Sequence, residues 1–236
     1  MKKLAVVTGG SQGIGQAVIR KLAGAGFSIA TCARHLAPLE KLSEEIQAKF
    51  PAVTMMHQAV DMSKQPEVAS FAHAIQQMDT PVAMLVNNAG VFIPGQIHTE
   101  EAGVFEQTMH TNLFGAYYLT RALVNGMISR QEGHIFNLCS TASITAYVNG
   151  GSYCISKFAL LGMSKVLREE LKPYSIRVTS ILPGATLTQS WEGTELPEDR
   201  FMPAEDVAHV LLSAYQLSDR SVVEEIVLRP QLGDIT

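Results

Sequence analysis

Cysteine is scarce in this chain and falls in no pattern. Cys32, Cys139 and Cys154 are three thiols in 236 residues, odd in number and without a C-x-x-C pair. Neither a disulfide framework nor a thiolate zinc site is suggested, and free cysteines of this kind usually serve as small buried hydrophobes. The seven histidines form no H-E-x-x-H arrangement, so no metal is expected. An excess of basic charge is also missing. The formal net charge of −4 argues against nucleic acid as the partner, because neutralising phosphates requires a basic face. No apolar run approaches the roughly 18 residues of a membrane span. The stretch Leu4–Val7 stops after four residues at Thr8-Gly9-Gly10, well short of a secretory h-region. A cytoplasmic protein that does not engage membranes is expected.

Apolar residues are plentiful: 47% hydrophobic against 17% charged describes a globular chain with ample core. The length fits one domain spanning 1–236. Short β-rich runs alternate with longer helical patterns from end to end. The expected strands are Leu4–Thr8, Ser28–Cys32, Val53–Val60, Ala83–Asn87, His134–Cys139, Arg177–Leu182 and Glu225–Arg229. Most are continuously apolar, as strands buried on both faces of a parallel sheet should be. Helical patterns cover Ile14–Ala25, Leu36–Lys49, Lys64–Met78, Glu100–Ser129 (as two helices), Ser152–Lys172 and Ala204–Leu217. The alternation predicts a Rossmann-type, doubly wound α/β/α sandwich on a seven-stranded parallel sheet.

Such sheets bind ligands beyond the carboxyl ends of their strands. After the first strand, Thr8-Gly-Gly-Ser-Gln-Gly-Ile-Gly15 leads straight into a helix. Glycines there permit a tight turn and let backbone N–H groups approach a pyrophosphate at the positive helix end. Gln16 stands where a Walker P-loop needs Lys, which excludes that class of site. About 20 residues on, an acidic side chain would hold the ribose of NAD, whereas Arg would accept the 2′-phosphate of NADP. The sequence offers Arg34 and no carboxylate before Glu40, so NADP(H) is favoured over NAD(H). Asp61, after the third strand, is placed to accept from the adenine amine or to cap the next helix. Asn87-Asn-Ala-Gly90, Ser140-Thr-Ala-Ser143 and Pro183-Gly-Ala-Thr-Leu-Thr188 follow the next strands and should meet the glycine turn on one sheet edge. Tyr153 and Lys157 lie one helical turn apart, so the ammonium can sit beside the phenol. A fixed positive neighbour favours the phenolate and makes tyrosine a usable general acid/base.

Together these motifs resemble the short-chain dehydrogenase/reductase family over essentially the whole chain. The family's T-G-x-x-x-G-x-G is Thr8–Gly15, its N-N-A-G is Asn87–Gly90, and its P-G-x-x-x-T is Pro183–Thr188. Its active-site Asn matches Asn112, and its Y-x-x-x-K is Tyr153 with Lys157. Its Ser falls thirteen residues before the Tyr, which selects Ser140 over Ser143. The resemblance implies catalysis by Asn112, Ser140, Tyr153 and Lys157. It implies cofactor contacts from Gly9, Ser11, Gln12, Gly13, Ile14, Gly15, Arg34, Asp61, Asn88, Ala89, Gly90, Tyr153, Lys157, Pro183, Gly184, Thr186 and Thr188. The implied reaction is hydride transfer between NADP(H) and a small-molecule carbonyl or alcohol. Ser140 and Tyr153 would donate to the carbonyl oxygen, and Asn112 would anchor a proton relay through Lys157.

The segment 189–203 is short for a substrate lid. Trp191, Leu196, Phe201 and Met202 stand either as its contacts or as core, and Val91–Pro94 with Tyr147 as the opposite wall. Two other functions compete. A 3-oxoacyl-(acyl-carrier-protein) reductase would use Arg130 and Lys172 to grip an acidic carrier, and a nonenzymatic NADP(H)-binding regulator would need the glycine turn alone. The helices Asn112–Ser129 and Ser152–Lys172 resemble the family's paired-helix interface, which implies a homodimer or homotetramer.

Overall fold

The computed structural model describes residues 3–235 apart from Glu192. In chain order the elements are β1 (Leu4–Thr8), α1 (Gly13–Gly24), β2 (Ser28–Ala33), α2 (Leu36–Lys49), β3 (Met55–Ala59), α3 (Gln65–Gln76) and β4 (Val82–Asn87). There follow α4 (Val104–Met109), α5 (Gly115–Arg130), β5 (Gly133–Leu138), α6 (Gly151–Leu171), β6 (Ile176–Pro183), α7 (Ala204–Tyr215) and β7 (Glu225–Leu228). All seven strands join one parallel sheet in the order β3-β2-β1-β4-β5-β6-β7. The chain reverses its direction of winding between β1 and β4, which opens a crevice at the carboxyl ends of those two strands.

The side-chain alternation of each strand feeds two cores. Ala5 and Val7 of β1 pack with Val18, Leu22 and Leu42 below α1 and α2 and with Leu211 of α7. Leu4 and Val6 point the other way, toward Phe71 and Ile75 of α3 and Leu119 and Leu123 of α5. Both faces being covered explains why β1 and β5 are buried throughout and read as unbroken apolar runs. The edge strands β3 and β7 are only partly buried. Val53 and Val60, expected inside the third strand, leave the sheet and are buried beside it.

One expectation needs correction. The segment Glu100–Ser129 holds two helices, α4 and α5, but the first starts four residues later than expected and no loop separates them. Residues 100–103 are non-helical, and from Val104 the chain runs as one rod to Arg130 through a π-helical turn at His110–Phe114. Met109, His110, Phe114 and Gly115 all keep right-handed helical backbone angles. An inserted π-turn of this kind rotates one side chain out of helical register, and such turns occur frequently at functional sites. Here the turn contains Asn112.

Candidate active site

The glycine turn is locked to the segment after β4. Thr8 Oγ1 accepts the backbone N–H groups of Asn88 and Ala89, each at 3.0 Å. Asn88 Nδ2 in return donates to the carbonyls of Thr8 and Gly9 at 2.9 and 3.2 Å. A Cβ at Gly15 would run into the Gly9 carbonyl and the Asn88 amide. Gly13, with φ +52°, lies against Thr188, whose Cγ2 would stand 3.0 Å from an added Cβ. The glycine turn and the turn after β6 therefore meet across the crevice. α1 opens there with no acidic residue in its first turn and no side-chain cap, leaving the positive end of a helix of 12 residues to the cradle. This donor set fits a pyrophosphate. Ile14 packs into the core, so its contribution to such a group is its backbone.

Beyond β2, Arg34 is exposed and makes no ion pair among the described residues. Asp61 Oδ1 accepts from the amide and hydroxyl of Ser63 at 2.9 and 2.7 Å. Partial burial would raise the Asp61 carboxyl. The Ser63 hydrogen bonds, with Lys64 and Arg34 nearby, outweigh burial and hold it below the usual range. Asp61 thus braces the turn into α3, and Arg34 stands close to it.

Tyr153 and Lys157 lie on the first turns of α6. Lys157 is buried, and its Nζ donates to the Leu138 carbonyl at 2.7 Å, which fixes the ammonium at the end of β5, two residues before Ser140. It lies 5.7 Å from the centroid of the Tyr153 ring. Ser140 caps a 3-10 turn at Thr141–Ser143, its Oγ accepting from the Ala142 N–H at 3.1 Å. Ser143, the alternative serine, is buried and accepts the Ser140 N–H at 3.2 Å. It supports the turn while Ser140 stays half-exposed. Asn112 is buried and clamps Val91 from both sides: Oδ1 accepts its N–H at 2.8 Å and Nδ2 donates to its carbonyl at 3.0 Å. The same Nδ2 reaches Ser156 Oγ at 2.9 Å, and Ser156 donates to the Tyr153 carbonyl at 2.7 Å. Ser156 went unnoticed in the sequence. Its only signal is a hydroxyl one turn after Tyr153, on the buried face of the helix.

The walls divide unequally. Phe92 meets Tyr153 edge-to-face with centroids 4.9 Å apart and remains exposed. Tyr147 is also exposed in part, and burial, then the neighbouring Tyr153 and Cys154, push its phenol up. On the other side Thr186 bridges to Met202, and the Leu187 and Met202 N–H groups donate to the Met202 and Ala185 carbonyls at 2.8 and 3.0 Å. Phe201 and Met202 are buried as anchors of this closure rather than offered as lid contacts. Trp191 packs against Phe201 with the rings tilted at 56° and their centroids 4.9 Å apart, and Leu196 is exposed. All three cysteines are buried, and burial pushes the Cys32 thiol up to about 12. Among the described residues, no group of three His, Cys, Asp or Glu side chains could hold a metal ion, and no helix is long and apolar enough to cross a membrane.

A sequence model of the short chain dehydrogenase family matches residues 3–199. The chain belongs to that family. As a short-chain dehydrogenase it is an NAD(P)-dependent oxidoreductase. It is 34% identical to a sepiapterin reductase of Chlorobaculum tepidum, over 100% of this chain and 99% of that one. Among solved structures it resembles an alcohol dehydrogenase of Thermococcus sibiricus complexed with 5-hydroxy-NADP, with a TM-score of 0.91, 25% identity and 100% of both chains covered. It also resembles the L-sorbose reductase of Gluconobacter frateurii complexed with NADPH and L-sorbose, with a TM-score of 0.89 and 26% identity over 97% of this chain and 95% of that one.

Proposed function

We propose that this short-chain dehydrogenase interconverts a carbonyl and a secondary or primary alcohol with NADP(H), Tyr153 acting as general acid/base. The observation that carries the reading is the anchoring of Lys157 on the Leu138 carbonyl. It holds a buried cation beside the Tyr153 ring at the strand end that also presents Ser140.

When bound, the nicotinamide nucleotide supplies or takes up the hydride. The backbone of Gly9, Ser11, Gln12, Gly13, Ile14 and Gly15 holds the pyrophosphate. Arg34 pairs with the 2′-phosphate, and NADP or NADPH in the solved relatives supports that choice. Asp61 accepts from the adenine amine. Asn88 acts by shaping the glycine turn, Ala89 and Gly90 by leaving room, and Pro183, Gly184, Thr186 and Thr188 close the far side. Tyr153 and Lys157 would hold the nicotinamide ribose.

In the reducing direction negative charge grows on the carbonyl oxygen. Ser140 Oγ and the Tyr153 hydroxyl donate to it, and removing one such donor typically costs about 3 kcal/mol of barrier. Tyr153 then gives up its proton, leaving a phenolate beside the Lys157 ammonium. Asn112, through Ser156 and Val91, keeps Tyr153 and the facing wall in register. Oxidation runs the same steps backward, with the phenolate as base.

The exposed walls, Phe92, Ile144 and Tyr147, are uncharged and favour an apolar or aromatic carbonyl compound. Sepiapterin, a planar heterocycle bearing a side-chain ketone, suits such walls and comes first in a panel of ketones, aldehydes and acyl thioesters read by NADPH consumption. The carrier-protein reading is the weaker one. Arg130 already donates to the Val82 carbonyl at 2.7 Å, and Lys172 is paired with Glu169. A regulator would need none of the Ser140–Tyr153–Lys157 set. Free buried thiols support a cytoplasmic location. An outward stripe on α6, Ile155, Phe158, Gly162 and Val166 at helical spacing, supports a homodimer. Tyr153→Phe should abolish turnover while NADPH binding, followed by fluorescence titration, persists. A fully active Phe variant refutes the mechanism.

A further inference from the structure

Glu100 opens no helix, yet it caps one. Its Oε1 accepts the Ser152 N–H at 2.8 Å, and its Oε2 accepts the Ser152 hydroxyl. Ser152 is buried in the first turn of α6, immediately before Tyr153. α6 has no cap of its own: Gly150 stands at the N-cap, and the first turn holds no acidic residue. A carboxylate at this end satisfies an orphan N–H and complements the helix dipole. Here it arrives from 52 residues upstream.

The surrounding contacts fasten the same two segments together. The Gly95 N–H donates to the Asn149 carbonyl at 3.0 Å, and Gly95 pairs with Gly150 in a parallel bridge. Gln96 Nε2 donates to Asn149 Oδ1 at 3.1 Å. Asn149 adopts φ +63°, a left-handed conformation that asparagine tolerates better than most residues. A Cβ on Gly151 would collide with the Glu100 carboxylate and press on the Gly95 carbonyl, so the approach requires glycine. At its other end the segment is held by the Asn112 clamp on Val91, and between the two fastenings Phe92 touches the Tyr153 ring.

We infer that Glu100 is a positioning residue for proton transfer. By gripping Ser152 it sets the first turn of α6, and with it the reach of the Tyr153 hydroxyl toward the substrate oxygen. The inference rests on Tyr153 being the general acid/base. Displacements on the order of 1 Å at a reacting group can cost about 10²-fold in rate.

The test compares Glu100→Ala, Glu100→Gln and Tyr153→Phe in the full chain, using the best substrate of the panel. Glu100→Ala should lose about 10- to 100-fold in kcat. Its NADPH dissociation constant, from fluorescence titration, should stay within about twofold, the scatter expected of a remote change. Its solvent deuterium isotope effect on kcat should rise as proton transfer becomes limiting. Glu100→Gln keeps an acceptor for the Ser152 N–H and should recover most of the lost kcat. A Glu100→Ala variant with wild-type kcat overturns the inference. So does one whose kcat loss comes with an equal loss of NADPH affinity and no change in isotope effect, which marks a merely structural residue. An active Tyr153→Phe variant would instead refute the parent mechanism.

Discussion

His134 gives the most direct physical test of the core. It lies on the inner strand β5, fully buried, stacked on Phe136 at 3.9 Å and facing Tyr215 at 6.0 Å. Thr179 on β6 directs its single hydroxyl proton to the Val223 carbonyl at 2.6 Å. It can therefore only accept from His134 Nε2, 2.8 Å away, which assigns the proton to Nε2. Nδ1 finds no partner among the described residues. A second proton is opposed first by burial and then by Arg177 on β6, and the imidazole is pushed down to about 2. Lys3 and Arg177 both sit over the Tyr215 ring, adding positive charge to the same corner.

Because the folded-state value is depressed, the unfolded chain binds a proton that the native state refuses at every pH between about 6.5 and about 2. Stability is intact above that window and falls by about 1.4 kcal/mol per pH unit on acidification within it. Between pH 7 and pH 5 the loss integrates to about 2 kcal/mol, or roughly 4–8 °C in Tm for a chain of this size. Urea unfolding followed by circular dichroism at both pH values should show this drop in the wild type. His134→Gln keeps a donor for Thr179 but cannot titrate, so its drop should be smaller by that amount. Glu45 and Asp61, whose carboxyls are held low by Arg20 and by the Ser63 hydrogen bonds respectively, lose their contributions at lower pH and equally in both proteins. Identical pH dependence in the two proteins would refute the assignment of His134 as buried and neutral.

Two further perturbations address the cofactor and the assembly. Arg34→Ala should raise KM for NADPH by about tenfold or more, the weight of a charge-assisted contact to phosphate, and leave KM for NADH nearly unchanged. Equal effects on both would remove the 2′-phosphate role. Phe158→Asp places a charge in the outward stripe of α6 and should convert a dimer into a monomer in sedimentation velocity. An unchanged sedimentation coefficient would move the interface elsewhere.

The sheet was legible because burial on both faces leaves a strong trace. Val6, Val7, Leu85, Val86, Ile135 and Phe136 stand in unbroken apolar runs, and turn chemistry punctuates them. The candidate site residues were legible through the motifs that resemble the family's, most of which the strand-end rule brings to one edge of the sheet. The π-turn was not, because one additional residue inside a helix hardly disturbs the periodicity of the flanking apolar positions. Glu100 was misread for a related reason: polar residues before an apolar run resemble a helix start, and its actual partner, Ser152, is far away in sequence. Apolar character alone could not decide between lid and core for Phe201 and Met202. The structure assigns both to the core, because the bridge from Thr186 to Met202 draws them inward.

That bridge has a consequence for how the enzyme can change. It ties the two ends of segment 187–201 together independently of what lies between them. Loop-closure entropy grows only logarithmically, so doubling the length of such a segment costs about 0.6 kcal/mol. Under the proposed function, the stretch beyond Thr188 is thus the place where residues can be exchanged or added to admit a different carbonyl compound at little cost to the sheet.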